Sequence, residues 1–213
     1  MVKQYFKKTT YSYSKRGKYY TNRHVTNLIR NWGKYKLTSS WYLMHVYTNE
    51  QHLYQMLGLD QSNTPMASSD PLGVALKRCK FFSELKNEWT FWKCTGVLFE
   101  VEPISANDDP LLVNGSVAFG LSTEKINLAQ DQSYAKTIES DKSFILDIKN
   151  SQRKYFPIRT TNYIMFDGND YVPQVPYYVA IGYRYFGQIV DNSVFPMWVI
   201  KITFYITCKD KIL

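Results

Sequence analysis

The chain has 213 residues, enough for one sizeable hydrophobic core, and all-β proteins of this length are commonly a single domain. Its net charge of +8 is uneven: residues 1–49 contain ten Lys and Arg and no acidic residue, whereas the remaining 164 contain 16 basic and 18 acidic residues. Three cysteines without a short common spacing argue against a zinc site or a disulfide framework, and no apolar run is long enough for a secretion signal or a membrane span. These features predict a soluble intracellular protein with a polyanionic partner, no cofactor and no membrane partner.

The N-terminal arm interleaves basic residues with tyrosines and hydroxyl side chains. Its like charges repel one another, so residues 1–20 are predicted not to fold alone. Lys and Arg neutralise phosphates and Tyr rings stack on exposed bases, which favours nucleic-acid binding over the alternative of a solubilising tail. Lys15, Arg16 and Lys18 also match a short nuclear-targeting signal.

The next segment, NRHVTNLIRNW, predicts a short basic amphipathic helix. Its apolar residues from Val25 to Trp32 recur at helical spacing, Thr21 or Asn22 can cap the start, and Gly33 marks the end. Such a helix either docks on the following domain or helps to hold nucleic acid. We place the arm at residues 1–36 and the main domain at residues 37–213. The predicted nucleic-acid-binding residues, including a later basic pair, are Lys3, Lys7, Lys8, Lys15, Arg16, Lys18, Tyr19, Tyr20, Arg23, Arg30, Arg153 and Lys154.

The first part of the main domain predicts one strand and two helices. Trp41–Tyr47 alternates as a strand does, and His45 within it is interpreted as a strand histidine with local partners rather than a metal ligand. Residues 50–58 predict a short helix stopped by a glycine. Helical spacing from residue 72 to 89 predicts another, with Asp70 as N-cap and Pro71 in its first turn.

A long strand is predicted at Phe91–Pro103. Glu100 and Glu102 share one of its faces, with Lys93, Thr95, Val97, Phe99 and Val101 on the other. The two glutamates have the spacing of paired catalytic carboxylates but are interpreted as solvated charges. The three histidines form no metal-binding pair, and neither a Gly-rich phosphate loop nor a nucleophile–base motif is present. We therefore predict no catalytic residue, no metal site and no enzymatic activity.

The second half predicts further strands separated by loops. Val113–Leu121 is one, with glycines at 115 and 120 marking turns or bulges, and Phe144–Lys149 and Tyr177–Ile189 are two more. Residues 122–143 are predicted to be a polar surface connection with short helical pieces, and residues 167–170, DGND, a turn.

The last predicted strand, Trp198–Lys209, alternates strictly for twelve residues. Its apolar face carries Trp198, Ile200, Ile202, Phe204, Ile206 and Cys208. Leaving these side chains in water would cost roughly 1.5–3 kcal/mol each, so the face must lie on a second layer. We expect this strand to be central and, because the turn at residues 191–193 is short, to be the antiparallel neighbour of Tyr177–Ile189. The predicted fold class is all-β: an antiparallel jelly-roll sandwich with short helices in the connections and a basic N-terminal arm.

Three features resemble the capsid proteins of small circular single-stranded DNA viruses, the circovirus-like group. The ending MWVIKITFYITCKDK, after a YRYFGQ strand, is similar to their C-terminal strand. The segment FWKCTGVLFEVEP resembles a strand of theirs with an aromatic-basic start and an acidic-proline end, and the basic arm before a neutral body has the same layout. Their arms are dense in arginine, whereas this arm mixes lysine with tyrosine.

The resemblance implies a virion protein that self-assembles into a small icosahedral shell and packages single-stranded DNA or RNA through its arm, with the host nucleus as a further location. Sixty copies, the simplest such shell, would carry about 600 positive charges against the phosphates of a genome. Two alternatives remain open. One is a capsid of the satellite-RNA-virus type; the other is a monomeric or low-oligomer protein that binds single-stranded nucleic acid, with its stacking residues on one exposed sheet face.

Overall fold

The computed structural model describes residues 11–13, 19–21, 32–48, 51–59, 65–67, 70–104, 115–126, 130–159, 162–166, 172–185 and 193–212. The chain divides into two compact units, residues 1–31 and residues 32–213. The described residues form twelve strands and three helices. The strands are β1 (Tyr11–Tyr13), β2 (Tyr19–Thr21), β3 (Trp32–Thr48), β4 (Gln51–Gly58), β5 (Met66–Ala67), β6 (Trp89–Pro103), β7 (Gly115–Ser122), β8 (Lys142–Ile145), β9 (Gln152–Pro157), β10 (Ile164–Met165), β11 (Tyr178–Tyr185) and β12 (Ser193–Lys211). The helices are α1 (Gly73–Lys77), α2 (Phe82–Glu88) and α3 (Gln130–Glu139).

In the first unit, β1 and β2 pair as a short antiparallel ladder. Residues 1–20 were predicted not to fold alone, but the Tyr and Thr residues of these two segments favour strands. The predicted amphipathic helix cannot extend to its predicted end, because both Trp32 and Gly33 lie in β3. Thr21, one of its two candidate caps, lies in β2, and the other, Asn22, is not among the described residues. Residues 22–31 lie outside the described residues. Residues 32–36, assigned above to the arm, belong to β3 and the second unit.

The second unit contains two antiparallel sheets. The larger has the order β10-β6-β12-β3-β4-β5, with β9 also paired with β6, and the smaller has the order β11-β7-β8. The central position predicted for the last strand is confirmed, since β12 pairs with β3 on one side and β6 on the other. The six apolar side chains of its inner face are at most 1% exposed.

Aromatic side chains from both sheets meet in the core between them. Phe99 of the larger sheet lies edge-to-face with Phe119 of the smaller, with ring centroids 5.1 Å apart, and Tyr54 lies 4.8 Å from Tyr183. His45 is in the same layer, 2% exposed, with its ring 4.9 Å from that of Tyr54. This arrangement confirms the predicted all-β jelly-roll sandwich with helices in the connections.

Of the two helices predicted in the first part of the main domain, one is wrong and the other is interrupted. Residues 51–58 form β4, which pairs with β3 along its whole length; apolar segments this short are ambiguous between helix and strand. The helix predicted from residue 72 to 89 is two short helices, interrupted at residues 78–81. Asp70 is not the N-cap of α1, which is Leu72. The Asp70 carbonyl accepts a backbone hydrogen bond from Val179 at the start of β11.

Strand β6 is longer than predicted and contains a bulge. Tyr205 of β12 faces Gly96 but the next residue, Ile206, faces Cys94, so Thr95 is extra. The bulge reverses the alternation, which places Cys94 in the core and turns Lys93 outward, unlike the predicted face.

The final two strands are not neighbours, contrary to the prediction. Strand β11 pairs with β7 in the smaller sheet, whereas β12 lies in the larger one. In a jelly roll, closing the sandwich puts successive strands into opposite sheets even when the connection is short.

Strand β8 ends earlier than predicted because residues 147–150 form a turn. The Asp147 carboxylate accepts hydrogen bonds from the backbone N–H groups of Lys149 and Asn150 (2.7 and 3.0 Å), as in an Asx turn. A hydrogen bond from the Asn150 side chain, followed by these two backbone bonds, holds the pKa of the Asp147 carboxyl below its ordinary value.

Helix α3 packs on the outward side of the smaller sheet, over small residues. Ala118, Gly120, Ala180 and Gly182 occupy this side of β7 and β11. A Cβ on Gly182 would lie 2.6 Å from both the Ser133 carbonyl oxygen and the Tyr134 Cα of α3. Gly120 lies within β7 and not in the predicted turn or bulge. A Cβ added to it would clash with the backbone of Lys142, so this glycine permits a close approach of the backbone.

We expect Gly182→Val to destabilise the protein by about 1–3 kcal/mol, because the added side chain forces α3 away from the sheet. Urea unfolding followed by circular dichroism measures the loss. Thr207→Val, on the outward side of the larger sheet, is the control and should stay within about 0.5 kcal/mol of the parent. An unchanged midpoint for Gly182→Val would contradict the close approach of α3.

The three cysteine thiols are buried, each at most 2% exposed. Burial raises the pKa of Cys79, Cys94 and Cys208 from 9.0 to about 12. The thiols are therefore neutral in the folded protein well above physiological pH, and are poor nucleophiles there.

We expect none of the three thiols to react with a thiol reagent at pH 8 in the native protein, and all three to react after unfolding in guanidinium. The unfolded thiols ionise near pH 9 and the folded ones near pH 12, so this contribution to stability is complete below pH 9 and is lost as the pH rises towards 12. Stoichiometric labelling of the native protein at pH 8 would show that the sites are open.

Candidate nucleic-acid interface

The start of strand β3 presents two lysines on the outward side of the larger sheet. Tyr35, between them, points inward, where its hydroxyl accepts a 2.8 Å hydrogen bond from Trp89 Nε1. Since strand side chains alternate, Lys34 and Lys36 point outward, and both are exposed.

The strand register brings other basic and aromatic residues beside these lysines. Thr207 of β12 lies opposite Lys34 on one side and Lys93 of β6 on the other, and Tyr205 lies opposite Lys36. Lys209 lies opposite Trp32. We call this surface the basic–aromatic face; it comprises Trp32, Lys34, Lys36, Lys93, Tyr163, Tyr205 and Lys209.

Cations and rings contact one another across this face. Lys93 Nζ lies 4.6 Å from the ring centroid of Tyr163, and Lys209 Nζ lies 6.0 Å from the same centroid. Lys36 Nζ lies 5.5 Å from the Tyr205 ring and Lys34 Nζ lies 5.6 Å from the Trp32 ring. These are cation–π distances, so each cation is held beside an aromatic surface.

The positive charge is concentrated at one end of the sheet. No acidic residue lies in the paired rows of the described strands that carry these four lysines, although Asp210 Oδ2 is 3.9 Å from Lys209 Nζ at the border. At the other end, Glu100 lies 3.2 Å from Lys201 and 3.5 Å from Arg153, so charges balance there. Glu100 thus lies on an outward face of the larger sheet. This position agrees with its interpretation as a solvated charge.

The predicted basic pair on β9 is split between two faces. Arg153 lies opposite Glu100 and Lys154 opposite the core residue Phe99, so their side chains leave the strand in opposite directions. Phe156 points into the core, with its ring centroid 5.9 Å from that of Phe99. Tyr155 lies on the outward side, with its ring centroid 5.5 Å from that of Tyr205. Arg153 and Lys154 are both exposed, but they do not form one cluster.

The other predicted nucleic-acid-binding residues belong to the first unit. Tyr19 and Tyr20 lie in β2. Lys3, Lys7, Lys8, Lys15, Arg16, Lys18, Arg23 and Arg30 lie outside the described residues.

Sequence reasoning missed the basic–aromatic face because its residues come from four separate stretches. The visible signals were the outward positions of Tyr205 and Lys209 in the last strand. Lys93 was assigned to the wrong face of β6 because the bulge reverses the alternation there. Lys34 and Lys36 were counted with the arm.

The described residues meet neither the requirements of a metal site nor those of a membrane-spanning helix. No group of three His, Cys, Asp or Glu among them is placed to bind a metal ion. None of the helices described above has the length and apolar character to cross a membrane.

No protein-family model and no curated protein matches the chain in sequence. Solved structures do match it in fold. A mud crab tombus-like virus structure is 11% identical with a TM-score of 0.52, covering 90% of this chain and 96% of that one. A T=1 subviral particle of a Penaeus vannamei nodavirus capsid protein deletion mutant is 9% identical with a TM-score of 0.54, covering 84% and 98%. Cocksfoot mottle virus is 8% identical with a TM-score of 0.53, covering 85% and 96%.

These matches span nearly the whole length of the viral chains, and at 8–11% identity they establish a shared fold. They come from a tombus-like virus, a nodavirus and Cocksfoot mottle virus, so they do not support the circovirus-like group or its single-stranded DNA genome. The second unit has the jelly-roll fold of these viral structures.

Proposed function

We propose that this chain is the structural subunit of an icosahedral virus shell and that its basic arm packages single-stranded nucleic acid. The observation that carries the proposal is a jelly-roll unit, similar in fold and length to viral shell chains, attached to an arm that holds the whole net charge. Residues 1–31 contain eight Lys and Arg and no acidic residue, whereas residues 32–213 are balanced.

This division of charge suits assembly around a polyanion. The arm supplies the counter-charge for phosphates, and the neutral jelly roll can meet its own copies without long-range repulsion. The simplest closed shell has sixty copies in the T=1 arrangement, the arrangement of the nodavirus particle named above. The partners are thus other copies of the chain and a single-stranded genome, and the location is the virion; the comparisons lend no support to the host nucleus.

A second function is favoured by one observation. An exposed sheet face with aromatic and basic side chains, such as the basic–aromatic face, also suits a protein that binds single-stranded nucleic acid without forming a shell. The two functions differ in the size of the assembly.

Sedimentation of the purified full-length chain, followed by negative-stain microscopy and nuclease treatment, separates them. A shell subunit yields particles of uniform size that contain nuclease-protected nucleic acid, and contacts with the genome weaken as salt rises. A monomer or small oligomer whose bound nucleic acid is digested would overturn the proposal and favour the second function.

A further inference from the structure

We propose that the basic–aromatic face is a second binding site for single-stranded nucleic acid. Its lysines contact phosphates, while Trp32 and the adjacent Tyr155 stack on bases. The inference deepens the proposed function by assigning part of the genome contact to the folded sheet rather than to the arm alone.

The four lysines of the face have few acidic partners within the described part of the protein. Lys34, Lys36, Lys93 and Lys209 lie on three adjacent strands, and Asp210, 3.9 Å from Lys209, is the one acidic partner that the described contacts give them. A surface ion pair at that distance holds its partner weakly. Phosphates are therefore the natural counter-charge for this end of the sheet, in contrast to the end where Glu100 pairs with Lys201 and Arg153.

The exposed aromatic rings favour single-stranded over double-stranded nucleic acid. Trp32 is 56% exposed and Tyr155 is 52% exposed, so each offers a ring surface to a ligand. A base can stack on such a ring only when its own faces are free, which holds for an unpaired strand and not for a duplex. A purely electrostatic site would have no use for exposed rings beside its lysines.

The dimensions of the face match several nucleotides. Tyr155 lies opposite Leu98, which lies opposite Thr203 of β12, and Trp32 lies opposite Lys209. Six residues of extended strand separate Thr203 from Lys209, so the backbone positions of Tyr155 and Trp32 are about 20 Å apart along the strand direction. Lys34, Lys36 and Lys93 lie in the rows between these two positions, and Lys209 lies in the row of Trp32. The backbone of a bound strand would run past these lysines.

The test uses the full-length chain and a fluorescent oligothymidylate of about twelve nucleotides. A quadruple variant, K34A/K36A/K93A/K209A, removes the lysines of the face; its matched control, K86A/K125A/K136A/K149A, removes the same charge from other surface positions. Fluorescence anisotropy over a salt series should show that the slope of log affinity against log salt becomes shallower by about 3 for the face variant and by much less for the control. Equal slopes for the two variants would overturn the inference.

The aromatic step has its own test. W32L/Y155L keeps apolar bulk but removes both rings, and should bind the oligothymidylate about 5- to 100-fold more weakly. Phe81→Leu is the control, because Phe81 is also 56% exposed with Lys80 Nζ 5.8 Å from its ring, but lies outside the face. Affinity for a duplex of the same length should not change with W32L/Y155L. An equal loss for duplex and single strand, or binding to anionic lipid vesicles that the same lysine substitutions abolish while oligonucleotide binding survives, would reject single-strand recognition.

Thermal unfolding of each variant checks that the fold is intact. Particle formation is measured separately. Particles formed by a face variant with unaltered oligonucleotide binding would refute this inference alone, whereas absence of particles from the parent chain would refute the proposed shell while leaving the oligonucleotide result decisive for the face.

Discussion

Trp198→Ala should destabilise the protein by about 3–5 kcal/mol, enough to unfold much of a marginally stable domain. Trp198 is 1% exposed and lies in β12 between Leu43 of β3 and Pro103 of β6. Truncation to alanine removes the indole from the core and leaves a cavity that the two flanking strands cannot close.

Trp198→Phe separates packing from hydrogen bonding at the same position. The indole Nε1 donates a 2.9 Å hydrogen bond to the carbonyl oxygen of Asp147 in the turn between β8 and β9. Phenylalanine keeps most of the apolar volume but leaves that carbonyl without its donor, which should cost about 1–3 kcal/mol. Urea denaturation of the parent and both variants gives the order; an alanine variant no less stable than the phenylalanine variant would show that Trp198 is not packed as described.

The central strand was predictable because its pattern is long and unambiguous. Twelve residues of strict alternation with β-branched and aromatic side chains fit one structure only, and β12 has its apolar side in the core as the pattern requires. The strand from Phe91 to Pro103 was found for the same reason. Its inner and outer faces were misassigned only before the bulge, since nothing in the sequence of FWKCTG marks Thr95 as an extra residue.

The remaining errors concern information that arises from partners distant in sequence. Residues 51–58 have no intrinsic feature that rejects a helix, and β3 makes them a strand by pairing with them. The placement of β11 and β12 in different sheets depends on the closure of the whole sandwich. Local turn signals do not contain that information.

The candidate site shows the same division. The uneven charge of the arm is visible in the sequence because it is a local property of residues 1–31. The basic–aromatic face is not, because Lys36, Lys93 and Lys209 become neighbours only through the order β6-β12-β3.

Neutralising the arm should remove most of the packaged nucleic acid. The variant replaces every basic residue of residues 1–31 with glutamine, which changes the net charge of the chain from +8 to zero. Eight lost phosphate contacts would make the slope of log affinity against log salt shallower by about 5–6 for a single strand. The substituted residues are Lys3, Lys7, Lys8, Lys15, Arg16, Lys18, Arg23 and Arg30.

The measurement is nuclease-protected nucleic acid per mass of sedimented protein, together with the salt slope. A control variant that changes the five arm lysines to arginine keeps every charge and should package as the parent does, since phosphate neutralisation depends on charge more than on side-chain identity. If the neutral variant protects as much nucleic acid as the parent, the arm is not the packaging element. If the arm is the packaging element, the neutral variant keeps only a small slope of log affinity against log salt. The four lysines of the basic–aromatic face should account for this remaining slope, because the rest of residues 32–213 contributes no net positive charge.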